Sequence, residues 1–324
     1  MKILVIRFSS IGDIVLTSPV VQALKEADEN REIHFLTKKI YSGLLESSPY
    51  VDEIHCIAKD INEVIGELRE HQFDLIVDLH NNLRSRLLKF QLGRPTRTFK
   101  KFNIAKWLLV NFKINKLPDV HVVDRYTDAV RDLINTQPSK GSFGIAKENE
   151  VNTKDRFGLN PGDFITVAVG AKFGTKQIPI IKLREILDDL KQPVVLLGGK
   201  EDRKKSDQIC SIVNGKLINL CGDFNLQQSA SVIAQSRVFL SSDTGLMHIA
   251  ACFDIPIVSV WGNTVTELGM YPYRPSERSS YSIHEVKGLK CRPCSKIGFR
   301  ECPKKHFNCM QQQDSGQIRM ELMK

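Results

Sequence analysis

The chain has 324 residues, 42% of them hydrophobic and 26% charged, and its formal net charge is +9. This composition is typical of a globular protein and excludes a disordered or collagen-like chain, while the length favours two domains over one. No apolar run reaches the roughly 18 residues of a membrane-spanning helix. The first element, KILVI, predicts a buried strand rather than a secretory signal, because Arg7 and Asp13 interrupt the apolar stretch. We therefore expect a cytoplasmic protein.

Both halves of the chain alternate apolar runs with helical patterns. In the first half the strand candidates are KILVI, IHFL, DEIHCI and FDLIVDL, and the helical patterns are PVVQALKEA, YSGLLES and INEVIGELREH. In the second half the strand candidates are FITVAVG, PVVLLGG, KLINLCG, RVFLSS and IPIVSVWG, and the helical patterns are IIKLREILDDL, EDRKKSDQICSIV, LQQSASVIAQ and LMHIAACF. This alternation predicts a doubly wound parallel sheet in each half.

The stretch 134–163 is rich in Gly, Pro, Asn and charged residues, which is typical of a linker. We predict one Rossmann-like domain over 1–150, a second over 151–310, and a C-terminal helix over 311–324. Two such α/β domains facing each other enclose a cleft, and sheets of this kind bind ligands at the carboxyl ends of their strands. Polar residues that directly follow a predicted strand are therefore candidates for the site.

The positive charge is concentrated between Leu79 and Pro118, where there are ten Lys or Arg residues and no Asp or Glu. Within it, residues 100–116 interleave lysines with Phe102, Trp107 and Phe112. A basic segment with bulky apolar residues favours contact with an anionic membrane surface. An ordinary solvated basic face with a few core anchors is the alternative. Arg84, in the NNLRSR stretch, is a candidate for contact with a phosphate or a sugar-acid carboxylate of a ligand.

The stretch FSSIGD follows the first strand and carries Ser10, Gly12 and Asp13. A carboxylate at the carboxyl edge of a sheet suits a general base that faces a hydroxyl group. The alternative is that Asp13 only caps the helix that follows.

The stretch FLSSDTGLMH places Asp243, Thr244, Gly245 and His248 where a strand becomes a helix. A helix N-terminus has unpaired N–H donors and partial positive charge, which favour phosphate. Thr244 and His248 are four residues apart and so share a helix face. We predict a diphosphate cradle here, with Asp243 near the N-cap, and the alternative is a well-capped helix with a core histidine.

A third stretch, VAVGAKFGTKQIP, offers Thr175 and Lys176 in a loop after another strand. A lysine in such a loop can hold a phosphate as a point charge. The GxxxxGK[ST] spacing of a Walker motif is absent from it.

Together these stretches resemble glycosyltransferase family 9, the bacterial ADP-heptose:lipopolysaccharide heptosyltransferases. The resemblance covers nearly the whole chain, and it is carried by KILVIRFSSIGDIVLTSPVVQAL, GTKQIP, SSDTGLMHIAACFDIPIVSVWGNT and the cysteine-rich end. It implies a GT-B fold, with an acceptor domain, a nucleotide-sugar domain, and a C-terminal helix that packs back on the first domain. It also implies that Asp13 is the catalytic base and that Lys176 holds the donor phosphates. The donor loop is then formed by Asp243, Thr244, Gly245 and His248, and we add as donor-binding residues Ser10, Gly12, Thr175 and Met247.

The chemistry that the resemblance implies is a direct, inverting displacement. Asp13 takes a proton from an acceptor hydroxyl, and Lys176 stabilises the leaving nucleoside diphosphate. The donor is expected to be ADP-heptose and the acceptor an anionic glycolipid of the lipopolysaccharide inner core, at the inner face of the cytoplasmic membrane. No Asp-x-Asp sequence occurs in the chain, so we predict no metal and no other cofactor. Glu201 and Asp202 are both candidates for a ribose-binding carboxylate.

Four of the eight cysteines, Cys291, Cys294, Cys302 and Cys309, are clustered near the C-terminus. Four thiolates form the tetrahedral site that structural Zn²⁺ prefers, and reduced, packed thiols are the alternative. Two other functions stay open: a GT-B transferase for another nucleotide sugar, and a basic nucleic-acid-binding protein with a four-cysteine metal site. No recognised nucleic-acid-binding module occurs in the sequence, so we expect no nucleic-acid partner.

Overall fold

The computed structural model describes residues 1–277 and 280–324. The chain folds into two compact units, the first formed by Met1–Phe102 and Val120–Ala146, the second by Asn103–Asp119 and Lys147–Lys324. The change of unit at Ala146 lies within the predicted linker. However, residues 103–119 belong with the second unit, although they lie inside the predicted first domain of 1–150.

The first unit is built on one parallel sheet of five strands in the order β3-β2-β1-β4-β5. The strands are β1 (Lys2–Ile6), β2 (Glu32–Lys38), β3 (Glu53–Ile57), β4 (Leu75–Asp78) and β5 (Thr96–Thr98). Helices in this part of the chain are α1 (Ile11–Val15), α2 (Ser18–Ala27), α3 (Ile65–Glu70), α4 (Leu83–Leu92), α5 (Asn103–Phe112) and α6 (Val122–Thr127). Of these, α5 belongs to the second unit. Short 3₁₀ turns occupy Lys39–Leu44, Ile61–Glu63 and Asp128–Leu133.

The second unit contains a parallel sheet of six strands in the order β11-β10-β9-β6-β7-β8. The strands are β6 (Ile165–Ala168), β7 (Val194–Leu197), β8 (Leu217–Asn219), β9 (Val238–Ser242), β10 (Ile257–Trp261) and β11 (Tyr281–Glu285). Its further helices are α7 (Thr153–Phe157), α8 (Ile180–Leu187), α9 (Arg203–Ile212), α10 (Leu226–Ala234), α11 (Gly245–Ala250), α12 (Asn308–Gln311) and α13 (Ser315–Met323). Single 3₁₀ turns lie at Lys147–Asn149, Gly174–Lys176, Lys200–Asp202 and Thr266–Leu268.

The central strands of the second sheet are buried on both faces. In β9, Val238 and Leu240 pack into one core cluster, whereas Phe239 between them packs into another. Successive side chains of a strand point to opposite faces, so this split shows that the sheet is covered on both sides. The strands consequently read as continuous apolar runs, which is why the sequence identifies them.

All nine predicted strands are present, and the structure adds two that the sequence did not indicate. β5 is three residues long, polar and mostly exposed, and β11 is half-buried at the edge of its sheet. Edge strands pack against one neighbour only, so they lack the apolar run by which buried strands are recognised. Among the described residues, no helix is long and apolar enough to span a membrane.

The C-terminal helix differs from its expected packing. The predicted helix of 311–324 exists as α13, but it packs on α8 and β10 of the second unit, whereas the prediction placed it on the first domain. Its buried residues Ile318 and Leu322 join the core cluster that also holds Leu183 and Val258. These two apolar side chains help to close one face of the second sheet.

Candidate active site

Asp13 is the third residue of α1 and is held by the loop that precedes this helix. Its carboxylate accepts hydrogen bonds from the backbone N–H of Ser10, at 3.1 Å, and from the Ser10 hydroxyl, at 2.7 Å. A guanidinium nitrogen of Arg7 lies 2.5 Å from its other oxygen. The side chain is nevertheless 24% exposed. Asp13 therefore caps the helix start and still presents a carboxylate that a ligand can reach.

The charge state of Asp13 is fixed by its surroundings. Burial acts to raise the pKa of this carboxyl, but the Arg7 guanidinium and the two hydrogen bonds from Ser10 outweigh it and lower the pKa to about 2. Asp13 is therefore an anion at any physiological pH. Arg7 in turn donates to the carbonyl oxygens of Ser9 and Leu79 and lies against the Tyr126 ring.

Sequence reasoning did not identify Arg7 as a site residue. The signal was available, because Arg7 directly follows an otherwise apolar strand, and a buried guanidinium needs a partner anion. In the structure Arg7 is 7% exposed and carries the ion pair that keeps Asp13 ionised.

A cavity of about 570 Å³ opens beside this loop within the first unit. It is formed where three neighbouring strands end, and its lining includes Ser9 after β1, Lys38 at the end of β2, and His80 after β4. Arg84, at the start of α4, also lines it. Two cations in one open cavity favour an anionic ligand.

His80 was not predicted as a site residue. Burial, together with the Arg7 and Lys101 cations, lowers the pKa of His80 to about 4, so its imidazole is neutral at pH 7. Its ring packs on Phe8 with the ring centroids 5.0 Å apart. Within the described part of the chain its Nδ1 is buried without a hydrogen-bond partner.

In the second unit, polar residues converge at the carboxyl ends of three neighbouring strands. Lys176 follows β6, Asp243 follows β9 and Thr264 follows β10. The Lys176 ammonium lies 2.6 Å from Asp243 Oδ2, and the Thr264 hydroxyl donates to the same oxygen at 2.8 Å. The structure thus brings together two residues that the sequence predicts for one donor site, and it adds Thr264.

The start of α11 differs in one detail from the prediction. The N-cap is Thr244 rather than Asp243, because Thr244 has extended backbone angles and its hydroxyl accepts the Met247 N–H at 3.3 Å. Asp243 is left for Lys176 and Thr264. Thr244 and Gly245 are half-buried, whereas Met247 and His248 are buried. Met247 packs in the core of this unit.

Thr175 is committed to a backbone contact. Its hydroxyl donates to the carbonyl of Phe299 at 3.1 Å and accepts the Phe299 N–H at 2.8 Å. Next to it, a Cβ on Gly174 would clash with the Arg300 carbonyl oxygen, so only glycine fits there. These contacts tie the loop that carries Lys176 to the cysteine-rich segment.

Glu201 and Asp202 are distinguished by their burial. Asp202 is 8% exposed and accepts the Gly199 N–H at 2.9 Å, and its carboxylate packs against Gly170. Burial raises the pKa of this carboxyl, and the Gly199 hydrogen bond opposes the rise. Glu201 is exposed. Asp202 therefore closes the turn after β7, whereas Glu201 is the accessible carboxylate of the two.

Asn263 is a second residue that sequence reasoning did not single out. It is fully buried in the loop after β10, and neither atom of its amide has a hydrogen-bond partner among the described residues. Leaving such a group unpaired costs about 1–3 kcal/mol. The next residue, Thr264, donates a hydrogen bond to Asp243. Asn263 therefore lies in the loop that orients the Asp243 carboxylate.

The cysteines form no disulfide within the part of the chain that the structure describes. Burial raises the pKa of Cys294, and it raises that of Cys309 to about 12. The Sγ of Cys291 lies 3.9 Å from Nε2 of His306. The predicted zinc site at Cys291, Cys294, Cys302 and Cys309 stays a prediction.

Comparisons with known proteins agree on one family. The family model described as glycosyltransferase family 9 (heptosyltransferase) matches residues 61–298. Lipooligosaccharide heptosyltransferase 2 of Haemophilus ducreyi is 29% identical over 296 residues, which cover 82% of this chain and 84% of that protein. Lipopolysaccharide heptosyltransferase 2 of Escherichia coli is 28% identical and covers 81% of this chain and 83% of its own. The solved structure of E. coli ADP-heptose LPS heptosyltransferase II superposes with a TM-score of 0.73 at 20% identity and covers 100% of this chain and 98% of its own.

Each unit is built on one parallel Rossmann-like sheet with polar loops after its central strands, and the fold is of the GT-B class. The family model matches most of the length of the chain, and this match identifies the family as well as the fold class. The chain belongs to glycosyltransferase family 9, the heptosyltransferase family.

Proposed function

We propose that this enzyme transfers a heptose from ADP-heptose to an inner-core sugar of lipopolysaccharide, with inversion at the anomeric carbon. The observation that carries the proposal is the contact of Lys176, Asp243 and Thr264 at the ends of three adjacent strands. Family membership and the names of the two curated relatives support the choice of sugar and acceptor.

The donor end of the reaction needs positive charge where the nucleoside diphosphate leaves. The Lys176 ammonium is only partly exposed and lies against the donor loop through Asp243. We infer that it turns from Asp243 to the diphosphate when the donor binds, because the phosphate oxygens bear more charge than one carboxylate. Asp243 then accepts a hydrogen bond from a hydroxyl of the donor and stays oriented by Thr264. Once it lies at the diphosphate, the cation stabilises mainly the transition state, in which negative charge develops on the leaving group.

The acceptor end needs a group that removes a proton from the attacking hydroxyl, and Asp13 is that group in our proposal. A carboxylate with a pKa of about 2 is a weak base toward a free alcohol. The hydroxyl becomes strongly acidic only as its oxygen bonds to the anomeric carbon, so proton transfer occurs late in the displacement. Arg7 keeps Asp13 anionic and fixes its orientation. Transfer of the proton from the acceptor oxygen to Asp13 is favourable once that oxygen is bonding to the anomeric carbon.

No divalent cation enters this scheme. The charge that a metal supplies in many transferases would come from Lys176, and the chain has no Asp-x-Asp sequence to bind one. We expect turnover to persist in EDTA after dialysis.

The acceptor is proposed to bind over the cavity that Lys38, His80 and Arg84 line. Lipopolysaccharide inner-core sugars carry carboxylate and phosphate groups, which suit the Lys38 and Arg84 cations. The neutral His80 imidazole would orient a hydroxyl.

A membrane contact would bring such a glycolipid to the enzyme, and α5 is the surface that we propose for it. Ile104, Trp107 and Phe112 are more than half exposed on this helix, while Leu109 packs with Val265 and Leu268 of the second unit. The neighbouring lysines, Lys100, Lys101 and Lys106, add attraction to anionic lipid. We place the working enzyme at the cytoplasmic face of the inner membrane.

A donor screen tests the proposed function. Thermal unfolding is measured with ADP, UDP, GDP and CMP and with the corresponding nucleotide sugars, followed by transfer assays with a heptose-deficient lipopolysaccharide acceptor. We expect ADP and ADP-heptose to raise Tm and heptose to be transferred. Stabilisation by a different nucleotide alone would replace ADP-heptose with another donor, and a salt-sensitive shift of DNA without nucleotide binding would overturn the enzyme proposal.

A further inference from the structure

Three histidines and a glutamate form a compact cluster on one face of the first sheet, away from the loops described above. His34 lies on β2, Glu53 and His55 lie on β3, and His71 follows α3. Each residue offers one ligand atom, and the four atoms all lie within 4.8 Å of one another. We propose that this cluster is a structural binding site for a divalent transition metal, with Zn²⁺ as the preferred ion.

The distances between the facing atoms fit one central ion. Nδ1 of His34 lies 2.8 Å from Nε2 of His55 and 3.4 Å from Oε2 of Glu53. Nε2 of His71 lies 3.6 Å from Oε1 of Glu53. Ligands about 2.0–2.1 Å from a tetrahedral zinc ion are separated by about 3.3 Å, so small side-chain shifts would complete the geometry.

The outward-facing nitrogens of the two buried histidines are also occupied. Nε2 of His34 contacts Glu32 at 3.0 Å, and Nδ1 of His55 contacts Glu67. Metal-binding histidines commonly pair the nitrogen that does not bind the ion with a carboxylate, which fixes the tautomer and makes the inner nitrogen a better ligand. Both buried histidines of this cluster have that arrangement.

The donor set selects the ion. Three imidazoles and one carboxylate suit Zn²⁺ and related borderline metals, and they exclude Ca²⁺ and Mg²⁺, which prefer oxygen ligands. His34 and His55 are essentially unexposed, and their inner nitrogens contact each other at 2.8 Å. When both outer nitrogens donate to Glu32 and Glu67, two inner lone pairs face each other unless a proton or a metal ion lies between them. A metal ion would bind both lone pairs.

The position of the cluster indicates a structural role. His34 and His55 are both the third residue of their strands, so the cluster lies on the face of the sheet rather than at the carboxyl ends where ligands bind. An ion here would join the edge strand β3 to β2 and to the segment after α3. Because it would bind only the folded state, it would raise the free energy of unfolding by mass action.

Metal content and spectroscopy test the proposal. The full chain, purified without a histidine tag, is loaded with Zn²⁺, dialysed and measured by inductively coupled plasma mass spectrometry. To separate this site from the terminal cysteines, the measurement uses the Cys291→Ser/Cys294→Ser variant. In this variant we expect one tightly bound zinc per chain and a Tm that EDTA lowers and zinc restores. With Co²⁺ in place of zinc, the absorption spectrum should show ligand-field bands but no thiolate charge-transfer band.

Two ligand variants and a matched control complete the test. Glu53→Gln and His71→Asn change partly exposed ligands, so both are expected to fold, to lose more than tenfold in zinc affinity and to lose the EDTA effect on Tm. Glu70→Gln removes an exposed carboxylate of α3 outside the cluster and is expected to bind zinc like the parent chain. A cysteine variant without bound zinc, or ligand variants with unchanged affinity, would overturn the proposal.

Discussion

The ammonium of Lys176 lies 2.6 Å from Oδ2 of Asp243, although the two residues follow different strands of the second sheet. The pair is mostly buried, so each charge depends on the other in the absence of a ligand. In the proposed mechanism, a donor diphosphate draws Lys176 away and leaves Asp243 with Thr264 and with the hydroxyls of the incoming donor. Until then the two side chains compensate each other's charge.

Replacing the lysine tests its role in departure of the nucleotide. Lys176→Met is expected to lower kcat about 10²–10³-fold, by analogy with the loss of one oxyanion donor, and to weaken ADP binding. Steady-state heptose transfer and ADP titration measure the two effects. Lys172→Met, an exposed lysine of the same loop, is the matched control and should keep normal turnover. Equal losses in both variants would count against a specific role for Lys176.

Removing the carboxylate charge of Asp13 tests the base assignment. Asp13→Asn is expected to lower kcat by about 10²–10⁴-fold, the usual contribution of a general base, with donor affinity unchanged. Single-turnover transfer and ADP binding separate the two quantities. Normal turnover in this variant would show that another group takes the proton.

The low pKa of Asp13 contributes to the pH dependence of stability. Because this pKa is about 2 in the folded chain and 3.8 is the ordinary value, the interactions of ionised Asp13 with Arg7 and Ser10, net of the cost of burial, contribute about 2 kcal/mol of stability above pH 4. This contribution is lost as the pH falls from about 4 to about 2. The sign follows because the unfolded state binds the proton more tightly over that range. Chemical denaturation at a series of pH values, compared between the parent chain and Asp13→Asn, measures the effect.

The same pair should govern activity at low pH. In the parent enzyme Asp13 stays ionised from neutral pH down to about pH 4, so it does not limit kcat/KM in that range. In Arg7→Met the burial of Asp13 is no longer opposed by a cation, so the acid limb of the profile is expected to move to higher pH. Arg7→Lys retains a positive charge and should shift the limb less. Identical profiles in all three proteins would contradict the assignment.

Asn263 offers a test that separates binding from stability. Its buried amide has no partner among the described residues, so Asn263→Leu removes an unpaired polar group without breaking a hydrogen bond. Tm is expected to stay the same or rise, and a fall of at least several-fold in affinity for the nucleotide sugar would show that this buried amide meets the donor when it binds. A variant that is destabilised and binds the donor normally would assign the amide to the fold alone.

The α5 surface predicts lipid dependence. Trp107→Ala combined with Phe112→Ala removes two exposed rings whose centroids lie 5.2 Å apart, and it leaves the anchor Leu109 in place. Co-sedimentation with phosphatidylglycerol vesicles should drop, as should turnover on acceptor embedded in vesicles. Turnover on a soluble acceptor fragment should be unchanged, and vesicle binding equal to the parent's would refute the membrane contact.

The sequence by itself determined the class of fold and the positions of the loops. Apolar runs buried on both faces identify β1 and β9, and because parallel strands expose their carboxyl ends together, Asp13 and Asp243 could be placed on candidate functional loops from their position after a strand. The short edge strands β5 and β11 were missed since they carry little apolar pattern.

Only the tertiary structure decided which residues meet. The ion pair that lowers the pKa of Asp13 and the histidine cluster both depend on how the chain folds in space, and local pattern carries no information on such pairings. The contact of Lys176 with Asp243 was expected only because the family resemblance assigned both residues to one donor site. The same holds for α13, whose apolar residues pack on the second unit, and for α5, which the chain's order had placed in the first domain. The spacing of apolar residues along a helix indicates that one of its faces is apolar. Which element that face packs against depends on the packing of the rest of the chain.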